Sequence, residues 1–349
     1  MLRTVIRRSA VSIGVLALLG TLSPAASAAP TAPTAGPPTE YVSVAVATVW
    51  TEPTSPRPVD KPALENPVRS DDWLRDMTLA DEENLTNDGL TQTQAVYGAP
   101  VRVLEKKGDW SRVAVENQPN ADEPLGYPGW IPSRQLTTDA PFQANLHRGP
   151  LAVVTAAPRA WLYADPDLTK RRIQIPYNTK LPVLGQRGKT VQVLTPGDRP
   201  AWLRAADVDV RKPDQKLPTP TGAQLVAEGK KFLGVDYVWA GRSGFAFDCS
   251  GYTGTLYEAA GILLPRDSGP QANSPLARPV DKKDLKPGDL IFYAHDGGKG
   301  KIHHVGMYAG DGKMLEAKNA GIPVRLTPAR LDPARDGYWG ARRYLPGNG

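Results

Sequence analysis

Cysteine is almost absent: the 349-residue chain has one, Cys249. A single thiol cannot close an internal disulfide, so each folded unit must be held by its own packed core. Such a residue is an accident, an intermolecular link or a working thiol. Histidine is scarce too, with His147, His295, His303 and His304 making up the full set. These residues offer no zinc-like Cys/His spacing, and no metal or other cofactor is implied. Long apolar runs are also missing. Beyond the N-terminus no stretch approaches the roughly 20 residues that a bilayer crossing needs. A strong charge of one sign is lacking as well, since 42 basic and 36 acidic residues leave a formal charge of +6. No basic stripe with interleaved aromatics occurs, so nucleic acid is not an expected partner.

The chain begins with Arg3, Arg7 and Arg8, an apolar core from Val11 to Leu19, and an A-x-A site at Ala26-Ser27-Ala28. Residues 1–28 therefore read as a secretory signal peptide, and the expected product is a soluble, secreted protein with no membrane anchor after cleavage. Losing the three arginines takes the formal charge from +6 to about +3. Residues 29–40, rich in proline and without core-forming side chains, read as a disordered linker. The remaining length, roughly 320 residues, suggests two or three domains.

Tyr41 to Trp50 alternates as a strand does, with Val42, Val44, Val46 and Val49. Thr51 to Pro67 is expected to be irregular, and Asp71 to Leu90 to contain a short helix. A plan then occurs twice. Tyr97-Gly-Ala-Pro-Val-Arg-Val-Leu, Lys-Gly-Asp-Trp-Ser-Arg-Val and Gly-Trp-Ile-Pro-Ser-Arg-Gln-Leu136 form the first copy. Tyr177-Asn-Thr-Lys-Leu-Pro-Val-Leu, Arg-Gly-Lys-Thr-Val-Gln-Val and Ala-Trp-Leu-Arg-Ala-Ala-Asp-Val208 form the second. Strand, turn, strand and a Trp-bearing strand, repeated, predict two small β-barrels over 41–140 and 148–212. Their order resembles that of bacterial SH3-like domains. A second Pro-rich linker, 211–221, precedes a helix over Ala223 to Leu233 that Thr221 is placed to cap.

The chemistry-bearing stretch is Phe247-Asp-Cys-Ser-Gly251. A helix-like run follows, so Cys249 is expected at a helix N-terminus, where free N–H groups and the helix dipole favour thiolate. The alternative is a buried packing cysteine. A nucleophilic thiol needs a base and a group that holds the base. His147 lies between the barrels and is expected to be exposed, and His295 falls in a polar turn. His303 to Tyr308 reads as a strand, so only one of His303 and His304 can face Cys249. His304 shares a face with Gly306 and Tyr308, whereas His303 is expected on the core side with Val305 and Met307. His304 is therefore the candidate base. On the next strand Glu316 interrupts an apolar run. It is either a solvated strand end or the carboxylate that accepts from His304 and favours imidazolium beside thiolate.

Gly234-Val-Asp-Tyr237-Val-Trp-Ala-Gly241, the Asp-Cys-Ser-Gly motif, Leu264-Pro-Arg-Asp267, Gln271, Lys286-Pro-Gly-Asp-Leu290 and His304-Val-Gly-Met-Tyr308 occur in order. Residues 219–346 thus resemble the NlpC family of cell-wall cysteine peptidases. The resemblance implies an α+β, papain-like catalytic domain preceded by two SH3-like barrels, with peptidoglycan stem peptides as substrate. Thr93-Gln-Ala-Val-Tyr-Gly98 and Gly126-Tyr-Pro-Gly-Trp-Ile-Pro132 resemble the first barrel of the γ-D-glutamyl-diamino-acid endopeptidase subgroup, which acts on peptides with a free N-terminal L-alanine.

What the resemblance implies residue by residue is a catalytic set of Cys249 as nucleophile, His304 as base and Glu316 as third member. Tyr237, Asp248, Ser250 and Tyr127 would line the substrate site, Asp248 pairing with the substrate ammonium and Tyr127 closing the pocket end. Two positions depart from the family pattern. Glu316 stands where many members have histidine, and Gln92 where the subgroup tends to have an acid. Two other readings share this fold: an amidase or acyltransferase acting on another bond, and a wall-binding protein with an inactive domain.

Overall fold

The computed structural model describes residues 36–212 and 215–346. The expected signal peptide, and the expected disordered linker up to residue 35, lie outside the described residues. The end of that linker is not irregular. Thr39–Val42 is a strand paired with Pro100–Lys107, because Tyr41 and Val42 are buried and carry the preceding residues into the ladder.

Residues 39–137 form a seven-stranded antiparallel sheet around Val42, Val49, Val101, Val113 and Ile131. The expected strand from Tyr41 to Trp50 is two, Thr39–Val42 and Val46–Trp50. The chain turns between them, and each half pairs with different neighbours. Residues 151–211 form a second seven-stranded antiparallel sheet around Val154, Leu162, Val193 and Leu203. Counting strands along each unit, both sheets run in the order 3-2-6-5-4-1-7. The repeated sequence plan is a repeated topology.

The units differ between their second and third strands. The second has a short turn there, whereas the first carries residues 51–90, which are more ordered than expected. They hold a helix at Lys61–Leu64 and two more, Ser70–Asp76 and Leu79–Asn87, where one was expected. The reason is a small core of their own. Trp73, Met77 and Leu85 pack on Trp50 and Trp130 of the barrel and on Val238 and Ala246 farther along the chain. The buried Asp60 carboxylate holds this insertion together, accepting from Arg57 and from the Trp73 indole at 2.8 Å. Thr78 and Asp81 form a capping box at the start of Leu79–Asn87.

The last unit is α+β. Its six-stranded antiparallel sheet runs Arg278–Val280, Tyr338–Arg343, Leu290–Ala294, Ile302–Gly310, Lys313–Glu316, Arg325–Pro328. Helices Gly222–Lys230 and Cys249–Ala259 cover it, with Thr221 capping the first as expected. Phe232, Phe247 and Tyr252 meet edge to face in the core, centroids 5.3–6.3 Å apart. Tyr252 and Leu256 of the cysteine helix share that core with Val305, Met307 and Leu315 of the sheet. The sheet and the start of the cysteine helix are thereby set against each other. Among the described residues no helix is long and apolar enough to cross a membrane.

Candidate active site

Cys249 is the first residue of its helix, and Asp248 is the N-cap, accepting from the Gly251 N–H at 2.6 Å. Gly251 is required by packing. A Cβ there would stand 2.0 Å from the Gly241 carbonyl oxygen, so the tight first turn that presents Cys249 admits no side chain. Ser250 donates to Asp248 and accepts from Arg266 at 3.0 Å.

The sulfur sits among the buried residues of the core and beside the Val305 N–H, one residue past His304. Burial pushes the thiol up to about 12, the Asp248 charge adds to this, and the Val305 N–H and Arg266 oppose it. The pull toward thiolate expected at a helix start is thus opposed here. Burial and an anionic cap act against the dipole.

His304 is buried, and its Nε2 lies 2.8 Å from Glu316 Oε2. Glu316 is completely buried, so it is not a solvated strand end. It is ionised, because the hydrogen bonds of His304 and Arg330 hold its carboxyl well below the usual range against burial. An ionised carboxylate only accepts, so Nε2 carries the proton and Nδ1 is the basic nitrogen. Nδ1 has no hydrogen-bond partner among the described residues. The ring stacks on Tyr293, centroids 5.5 Å apart.

The expected bond to Glu316 is present, and the imidazole it holds is pulled both ways. Burial lowers the His304 imidazole, and the charges of Arg330 and Lys318 reinforce this against Glu316. Two arginines missed by sequence reasoning share the carboxylate: Arg325 donates to Oε1 at 2.9 Å and Arg330 to Oε2 at 2.7 Å.

A cavity of about 1240 Å³ opens at Cys249. Tyr237, Asp248 and Ser250 line it from the catalytic unit, and Tyr127 and Gln92 from the first barrel. Glu83 and Asn87 of the helix Leu79–Asn87 reach it from the insertion. That helix is tied to the loop after Lys313–Glu316 by Glu82, which accepts from the Gly321 N–H at 2.9 Å.

Asp248 is not free to hold a substrate ammonium by itself. Its carboxylate is taken by the buried Arg266 at 2.6 Å, and the same guanidinium donates to Thr93 of the first barrel at 2.7 Å. The cavity's other carboxylates are Glu83 and Asp267, neither in a salt bridge among the described residues. Asp267 accepts from the Tyr127 hydroxyl at 2.9 Å, and burial raises its pKa. Gln92 donates to Thr51 at 2.9 Å.

The remaining histidines separate. His147 ends the helix Ala140–Arg148 and is exposed. His303 was expected on the core side but is exposed and lines the cavity, stacked on His295 at 4.2 Å. The cause is a bulge. Tyr293 pairs with His304 and Ala294 with Ile302, leaving His303 as the extra residue and breaking the alternation. Lys301 and Lys318 line the cavity near this pair.

A thiol at a helix start, and a histidine on the sheet with a carboxylate behind it, are the parts that thiol-nucleophile chemistry needs, and the relatives of this chain make it a cysteine peptidase. Comparison with known proteins agrees and goes further. The signature of the NlpC/P60 family matches residues 234–343, and that of the YKFC SH3b2 domain matches 154–210. The chain is 45% identical over 306 residues to a γ-D-glutamyl-L-lysine dipeptidyl-peptidase of Bacillus cereus, covering 88% of this chain and 91% of that one. It is 38% identical to the Bacillus subtilis protein of the same name, over 81% of this chain and 90% of that one. The crystal structure of an NlpC/P60 family protein from Bacillus cereus superposes with a TM-score of 0.84 at 44% identity, over 88% of this chain and 100% of that one. The chain belongs to the NlpC/P60 family.

Proposed function

We propose that the protein is a secreted peptidase that hydrolyses the bond between γ-D-glutamate and the diamino acid in peptidoglycan stem peptides with a free N-terminal L-alanine. The observation that carries this reading is the first barrel's place in the cavity wall. Tyr127 and the helix Leu79–Asn87 stand across the cleft from Cys249 and bring or orient carboxylates, Glu83 and Asp267, that suit an ammonium. The imidazoles of His295 and His303 and the ammonium groups of Lys301 and Lys318 suit a substrate's carboxylates. Relatives named as dipeptidyl-peptidases align over both barrels, which supports a dipeptide-sized acyl side.

In the mechanism His304 is the base for Cys249. As the sulfur attacks the amide carbon, the thiol proton passes to His304 Nδ1. The imidazolium formed is held through Nε2 by Glu316. The Cys249 N–H, at the helix start where no intrahelical acceptor exists, faces the developing oxyanion. Collapse breaks the C–N bond, and His304 returns the proton to the leaving amine. Water then attacks the thioester, His304 takes its proton, and the thiol is restored as the dipeptide carboxylate leaves.

The test is mass spectrometry after incubating L-Ala-γ-D-Glu-L-Lys and its diaminopimelate counterpart, each free and N-acetylated, with the protein and with Cys249→Ala. Release of L-Ala-D-Glu from the free peptides alone, abolished in Cys249→Ala, is expected. Equal cleavage of blocked peptides would refute the amine-recognising wall, and turnover by Cys249→Ala would refute the thiol mechanism.

A further inference from the structure

Glu316 is held more heavily than orienting one histidine requires. Oε1 accepts from Arg325 Nε at 3.1 Å, Arg325 Nη2 at 2.9 Å and Arg330 Nη1 at 3.1 Å. Oε2 accepts from Arg330 Nη2 at 2.7 Å and faces His304 Nε2 at 2.8 Å. Arg325 sits directly across the strand ladder from Glu316. Arg330 comes from the segment beyond that ladder and straddles both oxygens. Its guanidinium also lies over the Tyr293 ring, 5.0 Å from the centroid, and that ring stacks on His304. One carboxylate thus meets two guanidiniums within hydrogen-bonding distance.

We infer that Arg325 and Arg330 are positioning residues of the catalytic apparatus, which fix the Glu316 carboxylate against His304 while cancelling the charge that would otherwise draw a proton onto the imidazole. The inference rests on the roles given above to Cys249 and His304. A lone buried carboxylate beside His304 would stabilise imidazolium and hence a standing thiolate. With two cations on it, the carboxylate still orients the ring as a hydrogen-bond acceptor but supplies no net negative field. Every other group around the ring fits that balance. Tyr293 stacks on it from the neighbouring strand, Lys318 acts on it as a further cation, and His303 precedes it in the chain. Among the described residues Glu316 is the carboxylate bonded to the ring.

The single cysteine gives a readout that needs no substrate. Carboxamidomethylation by iodoacetamide, followed by intact mass against pH, reports Cys249 alone. In Arg330→Gln the uncovered charge of Glu316 favours the imidazolium–thiolate pair. Alkylation at pH 7 is then expected to rise about tenfold, and the acid limb of peptide hydrolysis to move up by about one pH unit. Arg330→Lys, which keeps the charge without the fork, returns both toward wild type. Should Arg330→Gln not fold, Arg325→Gln carries the same prediction at smaller size, since its side chain is 38% exposed against 24% for Arg330. Unchanged or slower alkylation in a folded glutamine variant overturns the inference, as does a lysine variant that behaves like glutamine. A shift in alkylation in a protein that cuts none of the peptides would leave the clamp standing and remove the substrate assignment. Cleavage without a shift would do the reverse.

Discussion

The two barrels have one strand order and opposite employment. Tyr127 stands three residues before the Trp130 of its strand, and Arg199 three residues before the equivalent Trp202. Tyr127 is buried in the cavity wall and bonded to Asp267, whereas Arg199 is exposed. The first barrel carries residues 51–90, whose last helix lines the Cys249 cavity. The second has only a short turn there and contributes no residue to the lining of the Cys249 cavity. It braces instead, with Arg159 over Phe245 at 4.6 Å and Tyr177 edge-on to Phe232 at 5.1 Å. The shared topology therefore supplies rigidity, and specificity resides in what one copy adds to it.

Both barrels nevertheless meet the catalytic unit at one carboxylate, Glu258. It accepts from Asn117 of the first barrel at 2.9 Å, Lys180 of the second at 3.1 Å and Arg242 at 2.7 Å. Burial alone would raise this group, but Lys180 and Arg242 hold it down at about 2. The largest expected effect comes from breaking this common anchor. Glu258→Gln should cost about 3 kcal/mol in urea denaturation at pH 7, the scale of a broken buried ion pair. A folded-state pKa below the unfolded one gives stability that is full above the ordinary value of 4.5 and is lost as pH falls toward 2. The gap between wild type and Glu258→Gln should therefore close over that window.

The comparison between the barrels is sharpened by Tyr127→Phe beside Arg199→Ala. Loss of the bond to Asp267 should lower kcat/KM on the free peptide about tenfold, the value of one charge-assisted hydrogen bond. The change at Arg199 should leave kinetics within about twofold, as a surface substitution does. A comparable loss at Arg199 would dissolve the division of labour. A smaller loss than that of Tyr127→Phe is expected from Glu82→Ala, which removes the hold on Gly321. One net hydrogen bond, about 1 kcal/mol, should appear as a rise in KM of a few-fold with kcat unchanged.

Much of this was legible locally. The turn and Trp-strand plan marked both barrels because strand alternation is a short-range pattern. Cys249, His304 and Glu316 stood out because each breaks the composition around it. Even the insertion's last helix had a signal, the Thr78–Asp81 capping box. The arginines were not legible. Arg325 opens the edge strand Arg325–Pro328, Arg330 follows it, and both look like surface charge until Glu316 is seen facing them. Arg266, inside Leu264-Pro-Arg-Asp267, gains meaning only from Thr93, far away in the chain. His303 was misplaced because a bulge depends on pairing register, which alternation within one strand does not reveal.

The junction at Glu258 also bears on how such a chain can be rearranged. Its linkers make the three units look like beads that could be exchanged singly. Yet Asn117, Lys180 and Arg242 converge on one acceptor, so a foreign barrel grafted in either place would leave a buried carboxylate short of a donor. The protein is modular in its reading frame and indivisible in its electrostatics, and a successful graft has to bring its own residue for that corner.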